Sequence, residues 1–230
     1  VIMKLVTKYN YPKSIRAYYN GQRMYNIGSE KLPSVTTILS ATQTEEKKAS
    51  LEAWRRKIGK KAADLISRQS LSTGSAMHDF IEKYCLGKLN LDLLGDNTLE
   101  RKMADQIIEH GLKNRVSEIW GVEACLYYPN KYAGAADLIC IMDGKETVVD
   151  FKSSRSPRKD QYNFDYYLQL GGYSLAHNVV YGTKIDQGVI LVCTKDLMFQ
   201  RFIVDSENLK NYQKLFLERV DQYYNMQLNN

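Results

Sequence analysis

Cysteine is scarce and scattered in this sequence of 230 residues: Cys85, Cys125, Cys140 and Cys193 form no C-x-x-C pair and no other close spacing. Zinc sites and iron–sulfur clusters draw on clustered thiolates, so the spacing argues against both. Three of the four cysteines fall in apolar, strand-like runs, which reads as buried free thiols in a reducing compartment. No hydrophobic run approaches a membrane span, and the opening VIMKLVTKYNYPKS is interrupted too early for a secretory signal, so a cytoplasmic protein without a membrane partner is the expectation. Internal repeats and low-complexity linkers are also lacking. A chain of this length then fits one packed domain with at most a small appendage.

What is present is charge of both signs, 32 Lys and Arg against 26 Asp and Glu for a net +6, with 17 tyrosines scattered among them. That balance permits a polyanionic partner and equally fits an ordinary basic domain. YYNGQRMYNI predicts a hairpin about Asn20-Gly21. From Thr44 to about Ser70 the spacing predicts a helix, with Leu51, Trp54, Ile58, Ala62 and Leu65 facing a core. Arg55, Arg56, Lys60 and Lys61 lie between them, either as a solvated face or as a track for phosphates. A second helix opens at Ser72 or Thr73 and a third spans about 97–117. Three strand-like segments, a helix over about 162–180, a strand pair and a closing helix follow. This order predicts an α/β or α+β fold with a central mixed sheet flanked by helices.

Acidic residues in the strands carry the chemistry. Asp143-Gly144 predicts a two-residue hairpin loop, which sets Asp137 opposite Asp150 and Ala135 opposite Lys152. Two carboxylates about 5 Å apart repel by roughly 3 kcal/mol at an effective dielectric near 20. A divalent cation, Mg2+ or Mn2+, would offset that repulsion. Lys152, on the same strand face as Asp150, would hold the attacking water or a phosphate oxygen, with Gly134, Ala135 and Ala136 leaving room for a phosphodiester. The plainer reading of an Asp-x-Lys strand is an edge salt bridge. Glu123 on the preceding strand is either a third carboxylate or a solvated strand residue. His78 in GSAMHDFIE is either a structural histidine or, brought to the sheet by the small residues before it, an imidazole ligand. Gln169 and Tyr173 share one face of the helix after the Asp-x-Lys strand.

In this order His78, Gly134-x-x-Asp137, Asp150-Phe151-Lys152 and Gln169-x-x-x-Tyr173 resemble the RecB-type branch of the PD-(D/E)XK nuclease superfamily. LPSVTTIL at 32–39, followed by a basic helix, is similar to the narrower group that holds the mitochondrial genome maintenance exonuclease and its phage relatives. The resemblance covers about residues 30–205. It implies a restriction-endonuclease-like core and a metal-dependent, monomeric DNA exonuclease acting on single-stranded ends, in the host cytoplasm if viral. A structure-specific endonuclease, a duplex-end recombination exonuclease and a non-catalytic nucleic-acid-binding protein stand as alternatives. The resemblance further implies a metal held by His78, Asp137, Asp150 and the Phe151 carbonyl, with Glu123 nearby, and catalysis by Asp137, Asp150, Lys152 and Gln169. DNA contacts would come from Tyr173, Ser153, Arg55, Arg56, Lys60 and Lys61. The implied organisation is an N-terminal hairpin (1–30), a helical arch (33–72) that threads a free strand end, a catalytic core (73–205) and a C-terminal helix (206–230).

Overall fold

The computed structural model describes residues 3–89 and 97–230. Its framework is a six-stranded mixed sheet in the order β1 (Lys4–Leu5), β5 (Val116–Tyr128), β6 (Tyr132–Met142), β7 (Lys145–Ser154), β8 (Gln187–Thr194) and β9 (Phe199–Val204). β5, β6 and β7 form an antiparallel meander, α5 (Phe164–Tyr181) crosses over to bring β8 parallel to β7, and β9 returns antiparallel. A separate three-stranded sheet is built from β2 (Ile15–Tyr19), β3 (Gln22–Ile27) and β4 (Glu30–Pro33). An isolated bridge from Ser34 to Ala133 ties the start of α1 (Val35–Ala41) to the large sheet.

All eight residues of β8 are buried, as expected of a central strand covered on both faces. On one face α1, α5 and α6 (Ser206–Leu228) bury Ile38, Leu168, Ala176, Phe216 and Val220 against Tyr132, Ile139 and Ile190. The other face is covered by α4 (Leu99–Ile107), its π-helical extension Ile108–Leu112, and the second half of α3 (Lys60–Cys85). There Met77, Ile81, Met103 and Ile107 meet Leu138, Val149 and Leu191. Both predicted hairpin turns form, with positive φ at Asn20 and Gly21 and at Asp143 and Gly144, which is the backbone a two-residue type I′ loop requires.

The helical segment departs from the expected arrangement. Instead of one helix ending near Ser70 and another opening at Ser72 or Thr73, α2 (Glu45–Ile58) stops at Gly59, whose φ of 88° a residue with a side chain rarely adopts. Then α3 runs unbroken through Ser72 and Thr73 to Cys85. The apolar spacing from Leu51 to Leu65 does not face a core: α2 buries no residue, and Leu51 and Leu65 are more than half exposed. In the first half of α3 only Ala63 is buried, and it is Met77, Ile81 and Cys85 that join the core under the sheet. α2 is tethered to α5 by the Lys47–Asp165 ion pair and to α3 by the Arg55–Asp64 pair.

His177 of α5 is fully buried among Tyr9, Tyr11, Trp120 and Tyr181, with Nε2 3.0 Å from the Tyr11 hydroxyl and Nδ1 2.7 Å from Thr183 Oγ1. Burial pushes its pKa down from 6.5 to about 4, so it is neutral in the folded chain at pH 7. The unfolded chain takes up this proton first as pH falls. The His177 contribution is therefore whole above about pH 6.5 and is lost on acidification toward pH 4, by up to about 3 kcal/mol. Urea unfolding from pH 7 to pH 4.5 should show a shallower loss of stability for His177→Phe than for the parent chain. Parallel curves would refute the assignment.

Candidate active site

Local folding brings the acidic strand residues together. The β6–β7 ladder follows the expected register from Met142–Lys145 to Leu138–Val149 and ends there. One residue further, the Asp137 carboxylate accepts the Phe151 N–H at 2.8 Å, a donor that a continued ladder would have used. β7 follows β8 as far as Ser154, so neither the expected ladder pair of Asp137 with Asp150 nor that of Ala135 with Lys152 forms. In the resulting fork Asp137 and Asp150 are 9% and 5% exposed, and their carboxyl groups bear directly on each other.

Desolvation, with the Asp150 charge adding to it, raises the Asp137 pKa to about 7, while His78 pulls the other way. Asp150 is also desolvated, but the Lys152 ammonium at 2.8 Å more than offsets this and holds the carboxyl below its ordinary range. Asp150 Oδ2 is buried and faces the Lys152 ammonium. Lys152 Nζ donates to Gln169 Oε1 at 3.0 Å and sits 4.3 Å above the Tyr166 ring. Burial disfavours its charge, yet Asp150 keeps the ammonium pKa above its usual value.

His78 enters from α3, four residues after Gly74, where a Cβ would lie 3.3 Å from Ser153 Oγ. His78 Nε2 donates to the Phe151 carbonyl at 2.6 Å, and Nδ1 is 3.5 Å from Asp137 Oδ1. Burial works against the imidazolium, but Asp137 and then Asp150 raise its pKa to about 9. Glu123 sits on β5 between the Val122–Leu138 and Ala124–Ala136 pairs, hence across from Asp137, in a left-handed conformation (φ 48°). Desolvation and the Glu82 charge raise its pKa. Ligand atoms of His78, Glu123 and Asp137 all lie within 4.8 Å of one another. This donor set of one imidazole and hard carboxylates, with the buried Asp150 carboxylate alongside, fits a divalent cation.

The site opens into a cleft of about 530 Å3 lined by His78, Glu123, Asp137, Asp150, Lys152, Gln169 and Tyr173. Tyr173 is buried and packs where Gly134 has no side chain. A Cβ there would come within 2.7 Å of the ring, so Gly134 makes room for tyrosine rather than for a phosphodiester. Ser153 and the bases Arg55, Arg56, Lys60 and Lys61 are not part of the cleft wall. Arg55 pairs with Asp64 and Arg56 lies 3.6 Å from Glu52, while Lys60 and Lys61 are exposed. The sequence reading missed Arg16, Arg23, Asp79 and Glu82, all of which line the cleft. Glu82, one helical turn after His78, was legible from spacing. The two arginines come from the small sheet, whose position depends on tertiary packing.

No protein-family model matches this chain. It is 26% identical over 201 residues to mitochondrial genome maintenance exonuclease 1 from Homo sapiens, a match that covers 84% of this chain and 58% of that protein. It is also 26% identical over 207 residues to the Mus musculus protein of the same name, covering 86% of this chain and 60% of the other. These matches are homology. The chain spans about 60% of the length of these curated relatives. A crystal structure of a presumed exonuclease from Eubacterium rectale superposes with a TM-score of 0.47 at 18% identity, over 68% of this chain and 66% of that one. Among the described residues no helix is long and apolar enough to cross a membrane.

Proposed function

We propose that this chain is a Mg2+- or Mn2+-dependent deoxyribonuclease that degrades single-stranded DNA from a free end. The observation that carries the reading is the fork between β6 and β7, where two buried aspartates press on each other beside a fixed lysine and an imidazole. The homology to exonucleases supports the same chemistry. His78, Asp137, Asp150 and the Phe151 carbonyl would hold the cation, with Glu123 on its β5 side. When bound, the cation would supply a water of lowered pKa and neutralise charge developing on the phosphate.

The chain's own groups orient the reaction. Asp150, Gln169 and the Tyr166 ring fix the Lys152 ammonium on three sides, so its charge is already in place for a phosphate oxygen or the attacking water. Gln169 acts through Lys152 as a positioning residue. Asp137 orients the fork itself by taking the Phe151 N–H, which turns the neighbouring carbonyl toward His78. His78 must give up its proton to hold a cation, so loading should tighten as pH rises.

The preference for single-stranded ends is supported by the resemblance and by α2, which buries no residue; the expected arch over 33–72 does not hold over its first part, because α1 packs Val35, Ile38 and Leu39 into the core. A linear single-stranded oligonucleotide should be degraded in Mg2+ and spared in EDTA. A circle of the same sequence, and a linear strand with bulky blocks on both ends, should survive. A cut circle would make the protein an endonuclease, and intact linear strands in Mg2+ would leave it a binding protein.

A further inference from the structure

The Asn20-Gly21 register sets Arg16 opposite Tyr25 and Tyr18 opposite Arg23, so one face of the β2–β3 ribbon carries two arginines and two tyrosines in a checkerboard. Arg16 and Arg23 reach the wall of the catalytic cleft, and Arg23 also lines an adjoining hollow of about 280 Å3 together with Tyr18. Each guanidinium lies at the outer edge of cation–π range of a tyrosine, with Arg16 Cζ 5.8 Å from the Tyr25 centroid and Arg23 Cζ 5.9 Å from that of Tyr18. Neither arginine has a carboxylate within salt-bridge distance among the described residues. Arg23 Nε is buried without a hydrogen-bond partner, a donor that costs about 1–3 kcal/mol to leave unused.

The ribbon is held rigidly in this position. The Arg23 carbonyl accepts from Ser34 N at 3.2 Å and Thr37 Oγ1 at 2.9 Å, which pins it to the start of α1, while Arg23 Nη2 donates to the Tyr18 hydroxyl at 3.3 Å. Tyr18 is 63% exposed, so its ring is offered to solvent over the hollow instead of being used in packing. Guanidinium groups with no salt-bridged carboxylate, beside an accessible aromatic face and at the wall of the cleft, are the groups that recognise a polynucleotide backbone and its bases.

We infer that the small β2–β3–β4 sheet is a nucleotide subsite. Arg16 and Arg23 grip the phosphate adjacent to the one being cut, and Tyr18 stacks on the base next to it as the strand passes into the hollow. This inference rests on the nuclease reading.

The test measures binding of a fluorescein-labelled twelve-residue oligothymidylate in EDTA across a salt series, using the full chain and its Arg16→Gln/Arg23→Gln and Tyr18→Ala variants. The double variant should bind about tenfold or more weaker, and its log–log salt slope should fall by about 0.7, the value for the one phosphate that the two arginines share. Tyr18→Ala should weaken binding about tenfold with the salt slope unchanged. Arg23→Lys keeps the charge but loses the buried Nε–H and should lie between parent and double variant, which guards against a folding defect. Unchanged affinity and slope in the double variant, with the parent still cleaving DNA, would overturn the subsite and leave the nuclease intact. A parent chain that neither binds the oligonucleotide nor cleaves DNA would overturn both.

Discussion

Asp150→Asn is expected to lower Mg2+-dependent DNA cleavage by about a thousandfold or more while the chain stays folded. The substitution is nearly isosteric and removes one negative charge from a site whose use depends on holding a cation, a contribution of several kcal/mol to the barrier. Its effect on stability is set by two opposing changes. Asp137 loses the neighbouring charge that helps to raise its pKa, which favours the variant. Lys152 loses its 2.8 Å carboxylate partner and keeps only Gln169 and the Tyr166 ring, which disfavours it. Relief of repulsion alone predicts a higher melting temperature, whereas the two changes together predict a shift of only a few degrees in EDTA. Single-turnover cleavage with excess enzyme and a thermal melt in EDTA check both parts. Near-normal turnover would remove Asp150 from the metal site.

Lys152→Met should leave binding of DNA and of the cation close to normal and lower kcat by about a hundred- to a thousandfold, the range for removing a preorganised group that meets developing charge. Methionine fills much of the lysine stem's volume, so packing against Tyr166 persists. The loss should appear equally in kcat and kcat/KM. Gln169→Ala should give a smaller loss of the same kind, since it only loosens the ammonium. A Lys152→Met variant with raised KM and unchanged kcat would make the lysine a phosphate anchor with no part in the chemical step.

The parts of the site that were legible in the sequence are those fixed by local geometry. Asp143-Gly144 sets the register as far as Leu138–Val149, one pair short of Asp137 and Asp150, and the small residue at Gly74 foreshadows the approach of His78 to β7. Helix periodicity misled at Leu51 and Leu65, because an apolar stripe states that a face can be buried and not that anything covers it. The helix break falls at Gly59 and not at Ser72 or Thr73, two residues that cap helices well but here lie inside one. Glu123 faces Asp137 through a left-handed residue in mid-strand, which no alternation pattern anticipates. Gly134 was read as open space. Its actual neighbour, Tyr173, is set by how α5 lies across the sheet.

The bond from the Phe151 amide to the Asp137 carboxylate also makes that amide a reporter. A proton held by a buried anion exchanges slowly with solvent and resonates at unusually low field, and both properties should change when the carboxylate is shared with a cation or neutralised. One backbone NMR signal would thus follow loading of the site without any substrate being cut. The same bond means that Asp137→Ala removes both a ligand and the partner of a strand-end amide, so the variant would misstate the role of the charge. Asp137→Asn, which keeps an acceptor oxygen at the same reach, separates the two.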